Sequence, residues 1–480
     1  MLSRRLFLRM ATRISTGLAV SKAMRGWGSA IAPLSIRLRD AGPLAHVPAN
    51  FIGLGYEKSS VAVTGLLSAT NYRYAQLVTN LSTKGVLRIG GIVSDFSRYD
   101  PEGRSIAEPK NTVITRANLE QLAGFLKKTG WTAIWSLNFG QGTLVDALSE
   151  VKDVAAILGS RLEAIEIGNE VENYGNGAKP LRERPYLYET YRAEYDSWHD
   201  AITKAVPGLR FAAPDTASSV EWVEQMAENA KGEVQLLTTH YYRGRQQNGS
   251  AEQLTYPDAN LKTKLERLAR ASQESNIPWR MCETNSFSGG GLPGVSDTML
   301  GALWTLDYML LLAQYGCAGV NMETGVNQLG FVSSYSPIED DGTGINTAGA
   351  PYYGMLAFSM AVTGSPEVLP IDFDPQGTNV TIYVCGAGGK PRSVVVVNRD
   401  ASQDAEISIA ELDMGKVTAH RLLAPSADSK SGVTFGGSRV DADGRWMPKG
   451  SEHIHGAVVT VPRMTAVVIR SFAMGTQRER

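Results

Sequence analysis

LEAIEIGNEVENYG, residues 162–175, is a short β-rich run that stops on Gly168 and Asn169 and delivers Glu170. The run Leu162 to Ile167 has the length of a strand, and the amphipathic stretch ahead of it, Leu144 to Leu158, has the length of a helix. Seven further runs repeat the pattern: Phe51 to Tyr56, Val86 to Ile89, Thr132 to Leu137, Arg210 to Ala212, Leu236 to His240, Trp279 to Glu283 and Gly319 to Glu323. Most are apolar without alternation, as parallel strands covered on both faces should be. Helix-like segments lie between them, among them Leu261 to Ser275 and Val295 to Tyr315; the second is opened by Pro293 and Gly294 and carries Ser296 and Asp297 near its start. Strands alternating with helices predict an α/β chain with a parallel sheet. Eight such pairs over about 300 residues predict its closure into a (β/α)8, or TIM, barrel.

Beyond roughly residue 365 the texture changes to short β-rich runs broken by Gly, Asp and Pro: Val380 to Val384, Ser393 to Val397, Val458 to Val461 and Ala466 to Phe472. These predict an additional C-terminal antiparallel β-sandwich. Leu34 to Leu38, ahead of the barrel, is also strand-like and can join it. The expected organisation is a catalytic barrel over 46–365 and a sandwich from 33–45 with 366–480.

Hydrophobic residues at 43 % and charged residues at 20 % suit a globular chain with a sizeable core. No run of about eighteen apolar residues is present, so no stable membrane insertion is expected. The formal charge of −1 hides an asymmetry: Arg4, Arg5, Arg9, Arg13, Lys22 and Arg25 lie in the first 32 residues with no acid among them. The rest of the chain is therefore acidic, which argues against nucleic acid or a heavily sulfated polyanion as the main partner. Arg4 and Arg5, followed by Phe7 and Leu8, a weakly apolar stretch and small residues around Ser29, Ala30 and Ala32, read as a twin-arginine export signal over 1–32. A periplasmic or secreted location is the expectation. Cys282, Cys317 and Cys385 are widely spaced and odd in number, and read as buried thiols rather than a disulfide framework or metal-site spacing. His453 and His455 have no third ligand near them in sequence. No metal and no cofactor are expected.

In such a barrel the active site lies at the carboxyl ends of the strands. That rule selects Glu170 after the fourth run and Glu283 at the end of the seventh. Two carboxylates converging on one barrel mouth suit retaining glycoside hydrolysis, in which one protonates the leaving oxygen and the other attacks the anomeric carbon. Either glutamate alone reads more readily as a helix cap or ion-pair partner than as a catalyst. The pair, with Asn169 before the first and His240, Tyr241 and Tyr242 ending the sixth run, favours catalysis.

The order NE on strand four, HYY on strand six and E on strand seven resembles the clan of barrel glycosidases that contains β-glucuronidases and heparanases. Within that clan VLRIGGIVSDF at 86–96, IEIGNEVENYG at 165–175 and CETNSFSGGGLPGVSDT at 282–298 are similar to glycoside hydrolase family 79. The resemblance implies Glu170 as acid/base, Glu283 as nucleophile, Asn169 as contact of the sugar 2-hydroxyl and Tyr241 as the tyrosine beside the nucleophile. It implies that Glu57 and Asp95 bind sugar hydroxyls away from the aglycone. Ser288, Gly289, Gly290 and Tyr335 are implied in holding a uronic carboxylate, for which backbone N–H groups and a hydroxyl are suitable donors. The animal heparanases of the family carry a tyrosine where this chain has Ser288. The expected activity is a retaining exo-β-glucuronidase that removes terminal β-linked glucuronic acid, 4-O-methylated or not, from a carbohydrate. An endo-acting heparanase-like enzyme, a glycosidase of the same clan acting on neutral sugars, and a carbohydrate-binding protein without catalysis are the alternatives.

Overall fold

The computed structural model describes residues 32–105, 112–178, 180–325, 333–340 and 345–472; the candidate export signal lies outside them but for Ala32. Eight parallel strands close into a barrel: Ile52–Glu57, Val86–Gly90, Thr132–Leu137, Leu162–Ile167, Phe211–Thr216, Leu236–Arg245, Trp279–Ser288 and Val320–Glu323, barrel strands one to eight. Strand eight pairs with strand one, Glu323 opposite Gly55, and this completes the ring. The strands are nearly continuous apolar runs because helices cover their outer faces. Local signals set those helices. Thr143 caps Leu144–Leu158 by accepting the N–H of Asp146 at 3.2 Å, and Thr115 with Asn118 forms a capping box ahead of Arg116–Thr129.

Inside the barrel, Val86, Ile134, Ala164, Ala212, Leu236 and Cys282 form a small apolar layer. Nearer the carboxyl ends the interior turns polar. Glycines make room for it: a Cβ on Gly55 would collide with the Glu323 carboxylate, and one on Gly91 with that of Glu57. Strands six and seven run ten residues each and project past the ring, with Arg245 opposite Ser288 at their tips.

Two sheets flank the barrel. One has the order Ile371–Phe373, Leu34–Leu38, Ala405–Ser408, Val458–Val461; the other runs Ala45–His46, Glu367–Leu369, Val380–Ala387, Lys390–Asn398, Thr465–Ser471, Val417–Leu423, Thr434–Phe435. Their pairings are antiparallel except one, because Leu34–Leu38 enters parallel to Ala405–Ser408. Ile36, Val384, Val394, Val396, Ile407 and Ile469 belong to the core between them. The second sheet is tied to the barrel's helix Met299–Gln314 through Asp307, which accepts from Arg399 Nη2 at 2.7 Å and Tyr383 Oη at 2.9 Å. The three cysteines are free and buried.

Candidate active site

The site is organised around one guanidinium. Arg88, on strand two, is fully buried; its Nε donates to Glu166 Oε2 at 3.0 Å, and its Nη1 to Glu283 Oε2 at 2.8 Å. Its Nη2 donates to Asn169 Oδ1 at 2.8 Å and Asp215 Oδ2 at 2.5 Å. The planar fork thus fixes the ends of strands two, four, five and seven relative to one another. A cation so deep in the barrel is tolerable only because acids surround it.

Glu170 follows strand four in the left-handed region at φ 49°, with Gly168 two residues earlier at φ 93°. The turn is held by the Glu170 N–H, which donates to the Asp215 carbonyl at 2.8 Å. Non-glycine residues in this conformation carry a strain that persists where the surroundings enforce it, often at functional sites. Asp215 shares it, at φ 57°. On strand six, His240 bridges the two: Nε2 lies 2.8 Å from Asp215 Oδ1, and Nδ1 lies 3.3 Å from Glu170 Oε1. Glu283 receives the Tyr242 hydroxyl on Oε1 at 2.9 Å. Ligand atoms of Glu170, His240 and Glu283 all lie within 4.8 Å of one another, so the two glutamates face each other across a narrow gap.

The surrounding acids are perturbed by burial. Glu57 is pushed up to about 8, by burial first and then by the charge of Glu283, against the Val93 N–H that donates to it. Asp95 is raised to about 7 by burial, although the Tyr174 hydroxyl at 2.6 Å and the Gly140 N–H at 3.1 Å both favour its charged form. Burial, with the charges of Glu283 and Glu57, drives Glu323 well above the usual range; its Oε2 has no partner among the described residues. Asp215 moves the other way, to about 2: burial opposes this, but the charges of Arg88 and His240 prevail. Two groups among the described residues are compact enough for a metal ion, Glu170–His240–Glu283 and Glu166–Asp215–Cys282. In both, Arg88 already supplies a positive charge to a carboxylate.

Of the residues singled out from sequence, Glu170, Asn169 and Glu283 converge on this cluster, and Glu57 stands close enough to Glu283 to sense its charge. Asp95 is buried, its Oδ1 accepting from the Tyr174 hydroxyl and the Gly140 N–H. Tyr241 requires a correction. Its hydroxyl points away from the nucleophile position and donates to Asp258 Oδ2 at 2.8 Å, while its ring stacks on Tyr308. The tyrosine on Glu283 is Tyr242, because alternation along a strand places Tyr242 on the same face as His240 and turns Tyr241 outward.

Ser288 ends strand seven, and Gly289, Gly290 and Gly291 follow, all with positive φ. The Gly290 carbonyl accepts the Ser334 N–H at 2.6 Å, which brings the run beside Tyr335. The N–H groups of Gly289 and Gly290 donate to no described residue. Tyr335 is buried near Tyr242 and senses the charges of Glu323 and Glu283, and Asn285 Nδ2 bonds its carbonyl at 3.2 Å. Arg88, Glu166, Asp215 and Glu323 are participants missed from sequence, as is the contact of Tyr242 with Glu283. A charged residue inside an apolar strand marks Arg88, and the strand-end rule applied to strands five and eight finds Asp215 and Glu323.

No family model matches the chain. It is 25 % identical over 437 residues to a β-glucuronidase of Aspergillus niger, covering 78 % of this chain and 79 % of that one. A β-glucuronidase of Neurospora crassa is 26 % identical over 450 residues, at 74 % and 77 % coverage. Among solved structures, the 4-O-α-L-rhamnosyl-β-D-glucuronidase of Fusarium oxysporum superposes with a TM-score of 0.75 at 20 % identity, over 91 % of this chain and all 100 % of that one. A family 51 α-L-arabinofuranosidase of Bifidobacterium longum gives 0.63 at 16 % identity, over 92 % and 100 %. With such relatives, a closed parallel barrel and paired glutamates at its carboxyl end, the chain is a glycoside hydrolase.

Proposed function

We propose that this hydrolase is a retaining exo-β-glucuronidase, of the kind found in glycoside hydrolase family 79. The observation that carries the mechanism is the gap between Glu170 and Glu283, whose facing atoms lie within 4.8 Å. The nearest atoms of two carboxyl groups lie closer than the groups as wholes, and an approach this short favours the spacing of retaining enzymes, about 5–5.5 Å between carboxyl groups, over the roughly 6.5–9.5 Å that inverting ones leave for a water. Glu283, ionised and oriented by Arg88 and Tyr242, attacks the anomeric carbon. Glu170 gives its proton to the glycosidic oxygen as the bond to the aglycone breaks. In the second half Glu170 takes a proton from water, the resulting hydroxide attacks the anomeric carbon, and the Glu283 ester is released.

The two β-glucuronidase relatives support glucuronic acid as the sugar. Its carboxylate is assigned to the N–H groups of Gly289 and Gly290, which have no partner among the described residues, with Ser288 and the Tyr335 hydroxyl. Asn169 spends its Oδ1 on Arg88 and offers its amide nitrogen to the 2-hydroxyl. Glu57 and Asp95 serve the remaining hydroxyls; held partly protonated near neutrality, they donate as well as accept. The twin-arginine motif supports export to the periplasm or beyond.

The test is initial-rate hydrolysis of p-nitrophenyl β-D-glucuronide beside the glucoside, xyloside and galactoside, for wild type, Glu170→Ala and Glu283→Ala. A strong glucuronide preference that both substitutions abolish is expected, with the β-anomer appearing first by NMR. Preference for a neutral sugar would remove the carboxylate role of Ser288, Gly289, Gly290 and Tyr335. Turnover of none of the four would point to an endo-enzyme that needs a longer chain.

A further inference from the structure

We infer that Asp215 is a positioning residue for Glu170, holding the proton donor from two sides at once. Its carbonyl oxygen takes the Glu170 N–H at 2.8 Å and fixes the backbone turn. Its carboxylate anchors His240 at Nε2, 2.8 Å away, so that Nδ1 of the same ring addresses Glu170 Oε1 at 3.3 Å. Backbone and side chain of the glutamate are therefore referred to one residue at the end of strand five. Asp215 is itself fixed: it is 1 % exposed, its N–H donates to Thr238 Oγ1 at 3.1 Å, and its other carboxylate oxygen sits on Arg88. The His240 carbonyl is held by Lys264 Nζ at 2.6 Å, which stops the ring from shifting along the strand.

The consequence is chemical. With Oε1 of Glu170 turned to His240, Oε2 has no partner among the described residues and is the oxygen left to carry the proton toward the glycosidic bond. A glutamate free to rotate would spend much of its time with neither oxygen in line, and general acid catalysis depends on that reach. Asp215 and His240 do not touch the reacting atoms in this account; they act through Glu170. The inference rests on the reading of Glu170 as the acid/base.

Leaving-group dependence separates this role from a merely structural one. The full chain would be assayed as wild type, Asp215→Asn, His240→Gln and Glu170→Ala on aryl β-D-glucuronides from phenyl to 2,4-dinitrophenyl, reading kcat/KM, with thermal melting as the check on folding. A dinitrophenolate leaves without a proton and a phenolate does not. Asp215→Asn and His240→Gln should lose roughly 10- to 100-fold on the phenyl substrate and no more than a few-fold on the dinitrophenyl one; Glu170→Ala should show the same tilt more steeply. Equal losses on all substrates in Asp215→Asn would overturn the inference, because they would report damage through Arg88 to Glu283. If Asp215→Asn does not fold, the His240→Gln profile decides alone, tilted in favour or level against. A level profile in Glu170→Ala overturns the acid assignment itself and the inference with it; a tilt there without one in Asp215→Asn overturns the inference only.

Discussion

Between the two sheets of the sandwich, Ile36, Val384, Val394, Val396, Ile407 and Ile469 meet as an aliphatic layer, while the mouth of the barrel buries Arg88, Glu166, Asp215 and His240 in direct contact. Both regions are closed to water, yet they respond differently to change. An aliphatic layer depends on volume and tolerates exchange among similar side chains. A buried charge cluster depends on every member, since removing one leaves its partner desolvated and unpaired. On the proposed mechanism the costly arrangement has a use, since a carboxylate nucleophile and a proton donor must be held a few ångströms apart. The sandwich has no such requirement.

The sharpest way to break this contrast is Glu283→Ala, for which turnover should fall on the order of 10⁴-fold or more while the melting temperature changes little. A residual rate near wild type would remove the nucleophile from the mouth. Arg88→Met comes next. It leaves four acceptors without their donor, so calorimetry or denaturant melts should show a loss of roughly 3–5 kcal/mol, together with loss of activity. Tyr242→Phe should lower kcat by about 10-fold or more by releasing Glu283 Oε1, whereas Tyr241→Phe should keep kcat and give up only about 1 kcal/mol with the bond to Asp258. The reverse order would restore Tyr241 to the nucleophile.

A smaller effect concerns pH. Glu57 holds its proton in the folded chain up to about pH 8, but ionises near about 4.3 when unfolded. The folded state thus binds more protons between those values, and stability should decline as pH rises from about 5 to 8. The melting temperature should follow, with a shallower slope in Glu57→Gln; an identical slope would show that Glu57 ionises freely in the folded chain. Least of all for turnover is Ile407→Ala in the sandwich, which should cost about 2–5 kcal/mol in a melt and leave kcat per folded molecule unchanged.

The barrel was legible because its strands are apolar runs with distinct helical stretches between them; Thr132–Leu137 and Leu162–Ile167 coincide with the expected bounds. Strands six and seven proved twice as long as expected, since Tyr242–Arg245 and Thr284–Ser288 are polar or mixed in composition and lack the apolar run that marks a barrel strand, yet they pair with each other as the two strands continue. The two glutamates were legible as a pair at strand ends, with Asn169 before one of them and His240, Tyr241 and Tyr242 ending the sixth run. The network that holds them was not, because it joins Arg88, Asp215 and His240, residues of three strands whose mutual distances are set only when the barrel closes. The resemblance carried the tyrosine's role to Tyr241, one residue from the side chain that reaches Glu283: Tyr241 and Tyr242 are neighbours on the chain and face opposite ways.

Leu34–Leu38 lies between Ile371–Phe373 and Ala405–Ser408, so a strand that precedes the barrel in the chain is completed by two that follow it. At about 5–20 residues per second, that segment waits tens of seconds for its partners while the barrel strands between them emerge. The four-stranded sheet can therefore be completed only after the barrel between its members has been made, and a chain cut short before residue 405 would leave Leu34 and Ser35 without their parallel partners, on an edge ready to pair elsewhere.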